Sequence, residues 1–221
     1  MTANSARKIL CVQISRGLAP AVTVANTVAA AMMNEMPYKL IAGRTAVDAK
    51  QEAALAAIEQ GADLLLVEDD VMPDRGAWDA VIENKTDVMV ATAIMRNGML
   101  NTWFHGDRVL YSGTVFLKIP LPVLERIGDP WFACHDLEFN ANRGEWRDKG
   151  PNADGQSSDV WFFRRCWELG IPVLVAGFAV HYLHQGNALG SDLKTPSDVR
   201  PMGMTDCTKV TMKKKEGENH E

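Results

Sequence analysis

Gly61-Ala62-Asp63-Leu64-Leu65-Leu66-Val67-Glu68-Asp69-Asp70-Val71-Met72-Pro73 is the stretch whose reading decides the fold. Leu64, Leu65, Leu66 and Val67 form an uninterrupted apolar run between Gly61 and Pro73. A short run without polar alternation predicts a strand buried on both faces, in a sheet covered by helices. Glu68, Asp69 and Asp70 follow at its exit. In open α/β sheets ligands bind at the carboxyl ends of the strands. Three adjacent carboxylates repel one another, and their oxygens suit a hard cation such as Mg2+ or Mn2+. Taken alone, an acidic triplet is more simply a solvated strand exit. The flanking segments weigh against that.

Upstream, residues 9–14 (ILCVQI) predict a first buried strand, followed by the loop Ser15-Arg16-Gly17. Pro20 suits the first turn of a helix that runs to about Asn34. Residues 38–42 predict a second strand, closed by Gly43-Arg44-Thr45. A second helix over 47–60 carries a compact face of Ala53, Ala54, Ala56, Ala57 and Ile58, and Gly61 ends it. Strand, helix, strand, helix, strand is the sequence form of a parallel α/β sheet.

Downstream the spacing predicts a helix over 76–84, a strand over 87–94 and an irregular segment over 96–107. Residues 109–119 (VLYSGTVFLKI) predict one strand, with Gly113 inside it. An interior glycine marks close approach of a ligand or another backbone. A short helix is predicted over 122–127. Residues 140–156 have few apolar anchors and read as a long loop, a candidate lid. Ser157 is then the cap of a helix reaching Leu169, and residues 172–176 predict a last strand. The expectation is one domain over 1–190 with a polar extension over 191–221.

With 221 residues, 47% of them hydrophobic and 23% charged, the chain has an ordinary globular composition. A net charge of -5 argues against a broad basic face for nucleic acid. Cys11, Cys134, Cys166 and Cys207 are scattered without a CxxC pair, so they read as reduced thiols in a cytoplasmic protein and not as a zinc site. Residues 1–8 are polar and lack a signal core, and the longest nearly apolar run, 171–180, is too short to span a bilayer.

Four segments, in order, resemble the glycosyltransferases of the GT-A fold, chiefly the family-2-like group. Val47-Asp48-Ala49-Lys50-Gln51 ahead of a helix resembles that group's Ala-Arg-Asn stretch. Gly61 to Pro73 resembles its Gly-Ala-Asp, apolar strand, Asp-x-Asp core. Ser112-Gly113-Thr114-Val115-Phe116-Leu117 with Pro130-Trp131-Phe132 resembles its glycine-bearing strand and aromatic acceptor segment. Ser158-Asp159-Val160-Trp161-Phe162, then Gly170-Ile171-Pro172-Val173 and His184-Gln185-Gly186, resembles its Glu-Asp-x-x-Phe, Gly-hydrophobic, His-x-Gly ending. The chain departs from the pattern at Glu68 (an Asp there), at Lys50-Gln51 (Arg-Asn) and at Ser158 (Glu). Lys50 keeps the charge without the bidentate guanidinium fork.

The resemblance implies a single-domain, Rossmann-like GT-A sandwich with a mostly parallel central sheet and helices on both faces. It implies a metal-dependent transfer from a nucleotide-diphosphate sugar to an acceptor hydroxyl of a glycan, a protein or a modified nucleobase. Glu68, Asp70 and His184 are then the Mn2+ or Mg2+ ligands, with His181 the rival histidine. Ser15, Arg16, Arg44, Lys50 and Asp69 are expected to face the donor, and Gly113, Trp131, Ser158 and Trp161 the acceptor. Asp159, at a helix start where the dipole favours its anion, is expected to be the general base. The competing classes are a sugar-phosphate nucleotidyltransferase and a non-catalytic nucleotide-sugar or glycan-binding protein. The single glycine of Ser15-Arg16-Gly17-Leu18-Ala19-Pro20 counts against the first of these.

Overall fold

The computed structural model describes residues 8–15, 19–94, 100–152 and 158–181. In chain order the elements are β1 (Ile9–Ser15), α1 (Ala21–Met33), β2 (Tyr38–Ala42), α2 (Ala46–Glu59), β3 (Asp63–Glu68), β4 (Val71–Pro73), α3 (Arg75–Glu83) and β5 (Val88–Ala93). There follow β6 (Thr102–His105), β7 (Arg108–Ser112), β8 (Phe116–Ile119), α4 (Leu121–Ile127), β9 (His135–Asn140), β10 (Glu145–Pro151), α5 (Ser158–Glu168) and β11 (Val173–His181).

Local chemistry sets the helix ends. The Thr45 hydroxyl accepts the Asp48 N–H at 3.1 Å to open α2, and the Asp74 carboxylate accepts the Ala77 N–H at 2.6 Å to open α3. Buried alanines 49, 53, 54, 56 and 57 let α2 lie close on the sheet. Gly61, at φ +61°, turns the chain into β3.

The seven-stranded sheet has the order β2-β1-β3-β8-β5-β11-β4. β2, β1 and β3 are parallel, as are β5 and β11. β8 runs antiparallel to both of its neighbours, and β4 antiparallel to β11. The sheet is therefore mixed, and the mostly parallel sheet expected from the sequence is corrected: β8 is inserted head-down between the two parallel groups. The predicted strand 109–119 is two strands. It breaks at Gly113-Thr114-Val115, and its first half, β7, leaves the main sheet to pair with β6.

β3 is buried on both faces, as its apolar run predicts. Leu64 and Leu66 enter one core with α2, α4 and α5, whereas Leu65 and Val67 enter the other with α1 and α3. The sheet must also curl. Only Asp69 and Asp70 separate β3 from β4, yet those strands are four sheet positions apart. Four spacings of a flat sheet are about 19 Å, while the chain from Glu68 to Val71 reaches about 11 Å at most. Curvature closes that gap and sets the Asp69-Asp70 turn in the mouth of the curl.

The segment expected to be a long loop is mostly a hairpin. β9 and β10 pair antiparallel across a turn in which Asn140 Oδ1 accepts the Asn142 N–H at 3.1 Å and Gly144 takes φ +67°. Trp146 packs on Phe139 across the hairpin. Residues 153–157, Ser157 among them, lie outside the described residues, as does the extension 191–221. Among the described residues no helix is long and apolar enough to cross a membrane.

Candidate functional site

The ends of β1 and β3, the start of β8, the second turn of α2 and the first turn of α5 meet at one edge of the main sheet. Strand pairing leads there directly: the Asp69 N–H donates to the Ile14 carbonyl and the Glu68 N–H to the Val115 carbonyl. Lys50 projects from α2 into this edge and is 3% exposed. Its Nζ donates to Asp159 Oδ1 at 2.5 Å and lies 3.4 Å from Glu68 Oε1. Thr114 completes the group. Its Oγ1 donates to Asp159 Oδ1 at 2.8 Å and its N–H to Oδ2 at 3.3 Å.

Charges this well buried shift one another. Burial pulls the Lys50 ammonium down, but the Asp159 and Glu68 carboxylates outweigh it and hold the ammonium above its ordinary value. Burial pushes Asp159 up, and the Lys50 charge with the Lys50 and Thr114 hydrogen bonds reverses the sign, so its carboxyl sits below the ordinary range. Asp159 is thus held ionised, the state a base requires, while a depressed value makes it a weaker one.

The other site residues expected from the sequence divide. Asp69 is 6% exposed and its Oδ2 has no hydrogen-bond partner; the Thr23 hydroxyl donates to its main-chain carbonyl. Ser15 ends β1 and Ser158 opens α5, both buried. Arg44 is exposed and pairs at 3.7 Å with Glu52 of α2, which Lys39 also meets. Gly113 meets a close neighbour, as an interior glycine predicts, but that neighbour is a side chain of the protein: a Cβ there would lie 2.7 Å from Asn101 Nδ2. Trp131 and Trp161 are buried, and their indole N–H groups donate to the carbonyls of Leu124 and Pro130 at 2.8 and 2.9 Å. The His135 ring and the Arg164 guanidinium pack on Trp161. Arg16 and His184 lie outside the described residues. The backbone of His181 is in register with Val71, next to Asp70.

Three contributors escape the sequence. Thr114 is an ordinary strand residue until α5 is docked beside it. Gln51 takes the position next to Lys50 and pins the loop on both sides of Trp131, donating to Asp129 at 2.8 Å and accepting the Phe132 N–H at 2.9 Å. Asn101 lies in the segment read as irregular. Its proximity to Gly113 was signalled only by the glycine itself.

Cation fit can be judged from the carboxylates. Glu68 faces a fixed ammonium, so a second cation there would meet like charge. The buried, unpartnered Oδ2 of Asp69 suits a hard cation or a hydroxyl donor. Among the described residues no three His, Cys, Asp or Glu side chains are grouped so as to share a metal. Of the cysteines, Cys11, Cys134 and Cys166 are free thiols, and burial pushes Cys11 up to about 12, which keeps it inert.

No family model and no curated protein sequence matches this chain. Its fold is similar to that of the crystal structure of A197 from STIV, with a TM-score of 0.53 and 15% identity over 81% of this chain and 93% of that one. At that identity the likeness is one of fold alone: an α/β domain with a mixed, curled sheet flanked by helices.

Proposed function

We propose that this chain is a glycosyltransferase that moves a sugar from a nucleotide-diphosphate donor to an acceptor hydroxyl. One observation carries the reading. Lys50, Glu68 and Asp159, which belong to three separate segments of the resemblance, share a single ion-paired cluster at the carboxyl ends of β1 and β3, the edge at which α/β sheets generally bind ligands.

In this reading the donor lies along the mouth of the curl, with Asp69 accepting from its hydroxyls or meeting its cation. Asp159, oriented by Lys50 and Thr114, receives the acceptor hydroxyl. As the acceptor oxygen bonds to the anomeric carbon, its proton passes to Asp159. The bond from that carbon to the diphosphate oxygen breaks, and the diphosphate leaves with the electron pair. A divalent cation, when bound, would neutralise the departing diphosphate; Asp69 and Asp70 would hold it, and Glu68, engaged by Lys50, would not.

A second reading, a binding protein on the same fold, is favoured by the strength of the Lys50–Asp159 pair, which weakens Asp159 as a base. Incubation with a panel of nucleotide sugars, Mn2+ and glycan acceptors separates the two. Transfer that Asp159→Asn abolishes while donor binding persists supports the enzyme. Donor binding without turnover by the wild-type protein supports the binding module.

A further inference from the structure

Asn101 immediately precedes β6 and is 5% exposed. Its Oδ1 accepts the Ala93 N–H at 2.7 Å and the hydroxyls of Thr92 and Thr102 at 3.4 Å. Its main chain joins the ends of two other strands: its N–H donates to the Ala93 carbonyl, and its carbonyl accepts the Gly113 N–H, each at 2.9 Å. Around it Thr102 bonds Thr92 at 2.9 Å and Ser112 at 2.8 Å. The Ala93 N–H fixes which end of the amide is oxygen, so the other end is a donor. That donor, Nδ2, is buried without a hydrogen-bond partner. It lies 2.7 Å from the point a Cβ on Gly113 would occupy, closer than a Cβ tolerates. The next residue is Thr114, whose N–H and Oγ1 both bind Asp159.

A buried donor without a partner is uncommon and calls for an explanation in its packing. Here the Asn101 side chain closes the corner in which β5, β6 and the β7–β8 break meet, and Gly113 is the residue that lets it do so. We propose that Asn101 is a positioning residue for Asp159: seated on Gly113, it fixes the backbone at Thr114, and Thr114 in turn orients the carboxylate. Its bearing on catalysis rests on the reading of Asp159 as the group that meets the acceptor; the positioning itself does not.

The test is the titration of Asp159 in the full chain, followed by carboxyl carbon NMR and assigned with Asp159→Asn. Thr114→Val, which removes a hydrogen bond to the charged form, raises the midpoint and calibrates the measurement, whereas Thr114→Ser keeps it. Gly113→Ala drives a Cβ into the Asn101 amide and should shift Asp159 in the same direction as Thr114→Val. Adding Asn101→Ala to Gly113→Ala makes room and should shrink that shift. A folded Gly113→Ala protein in which Asp159 titrates as in the wild type overturns the proposal. Should Gly113→Ala fail to fold, Asn101→Ala alone decides: an upward shift supports the proposal and an unchanged midpoint overturns it. If the wild type transfers sugar, Gly113→Ala should lower kcat and leave donor KM alone. Absence of transfer defeats the enzymatic reading while the NMR result still stands.

Discussion

Lys50 and Asp159 are 109 residues apart in the chain, and their side chains meet at 2.5 Å. The pair joins α2 to α5 across the exit of β3, and Glu68 shares the ammonium. Three charges in one nearly enclosed place depend on one another, since the ammonium and the carboxylates are tolerated there only while they neutralise each other.

Removing the ammonium should be costly. Lys50→Met leaves Asp159 and Glu68 facing each other without their cation. We expect a loss of about 3 kcal/mol, the low end for a broken buried pair because both carboxylates keep some solvent. Urea unfolding followed by far-UV circular dichroism measures it. Lys50→Arg should recover only part, since a planar fork does not fit where a compact ammonium sits.

Stability should fall off at both ends of the pH scale. Asp159 is depressed in the folded protein, so its contribution is complete above the ordinary value of about 3.9 and is lost as pH falls through the folded one. Lys50 is raised, so its contribution is complete below about 10.5 and is lost as pH rises through the folded value. Asp148, partly exposed and held at about 2 against burial by His135 and Arg164, adds to the acid limb between about pH 4 and about 2. Melting temperature against pH should show that acid limb become shallower in Asp148→Asn.

Ligand binding separates the three acids. Calorimetric titration with UDP and Mn2+ should show Asp69→Asn losing at least about tenfold in affinity, or about 1.4 kcal/mol. Asp70→Ala should lose Mn2+-dependent binding while the protein stays folded. Glu68→Gln should lose less than either, because Lys50 already occupies that carboxylate. Equal losses in all three would return Glu68 to the cation.

The tryptophans should behave as core. Trp131→Phe removes a buried indole bond to the Leu124 carbonyl and should cost about 1–3 kcal/mol in chemical denaturation. Glycan or nucleotide-sugar affinity should not change. A folded variant that loses sugar affinity would restore Trp131 to the acceptor site.

Gly177 is a further sensitive point. It sits at the irregularity in β11 with φ +153°, and a Cβ there would meet the Ala77 amide nitrogen at 3.0 Å and Asp74 Oδ1 at 3.1 Å. Gly177→Ala should therefore destabilise by about 1–3 kcal/mol through strain and crowding of the α3 cap, read out as a lower midpoint in urea.

Local patterns in the chain were sufficient for β1, β2 and β3 and for the helices between them. β1 and β3 announce themselves by near-continuous apolar runs, and α2 by the alanines it turns toward the sheet; both signals are written in adjacent residues. They were not sufficient for β9 and β10, where Glu145, Arg147 and Lys149 face outward and Trp146 is the one large apolar side chain of β10. Nor did they reveal the break at Gly113. Residues 109–119 satisfy strand propensity throughout; at the break the Gly113 N–H turns to the Asn101 carbonyl and Thr114 to Asp159, partners remote in sequence.

By itself, then, the sequence determined that an α/β sheet would bring Glu68, Asp69 and Asp70 to a strand exit, because hydrophobic periodicity is local. Only the tertiary structure decided what those acids face. The direction of β8, the curl forced by the two-residue step from β3 to β4 and the docking of α5 give Glu68 an ammonium for a partner and leave Asp69 without one. Charge pairing depends on distances between residues far apart in the chain, and those distances exist only once it is folded.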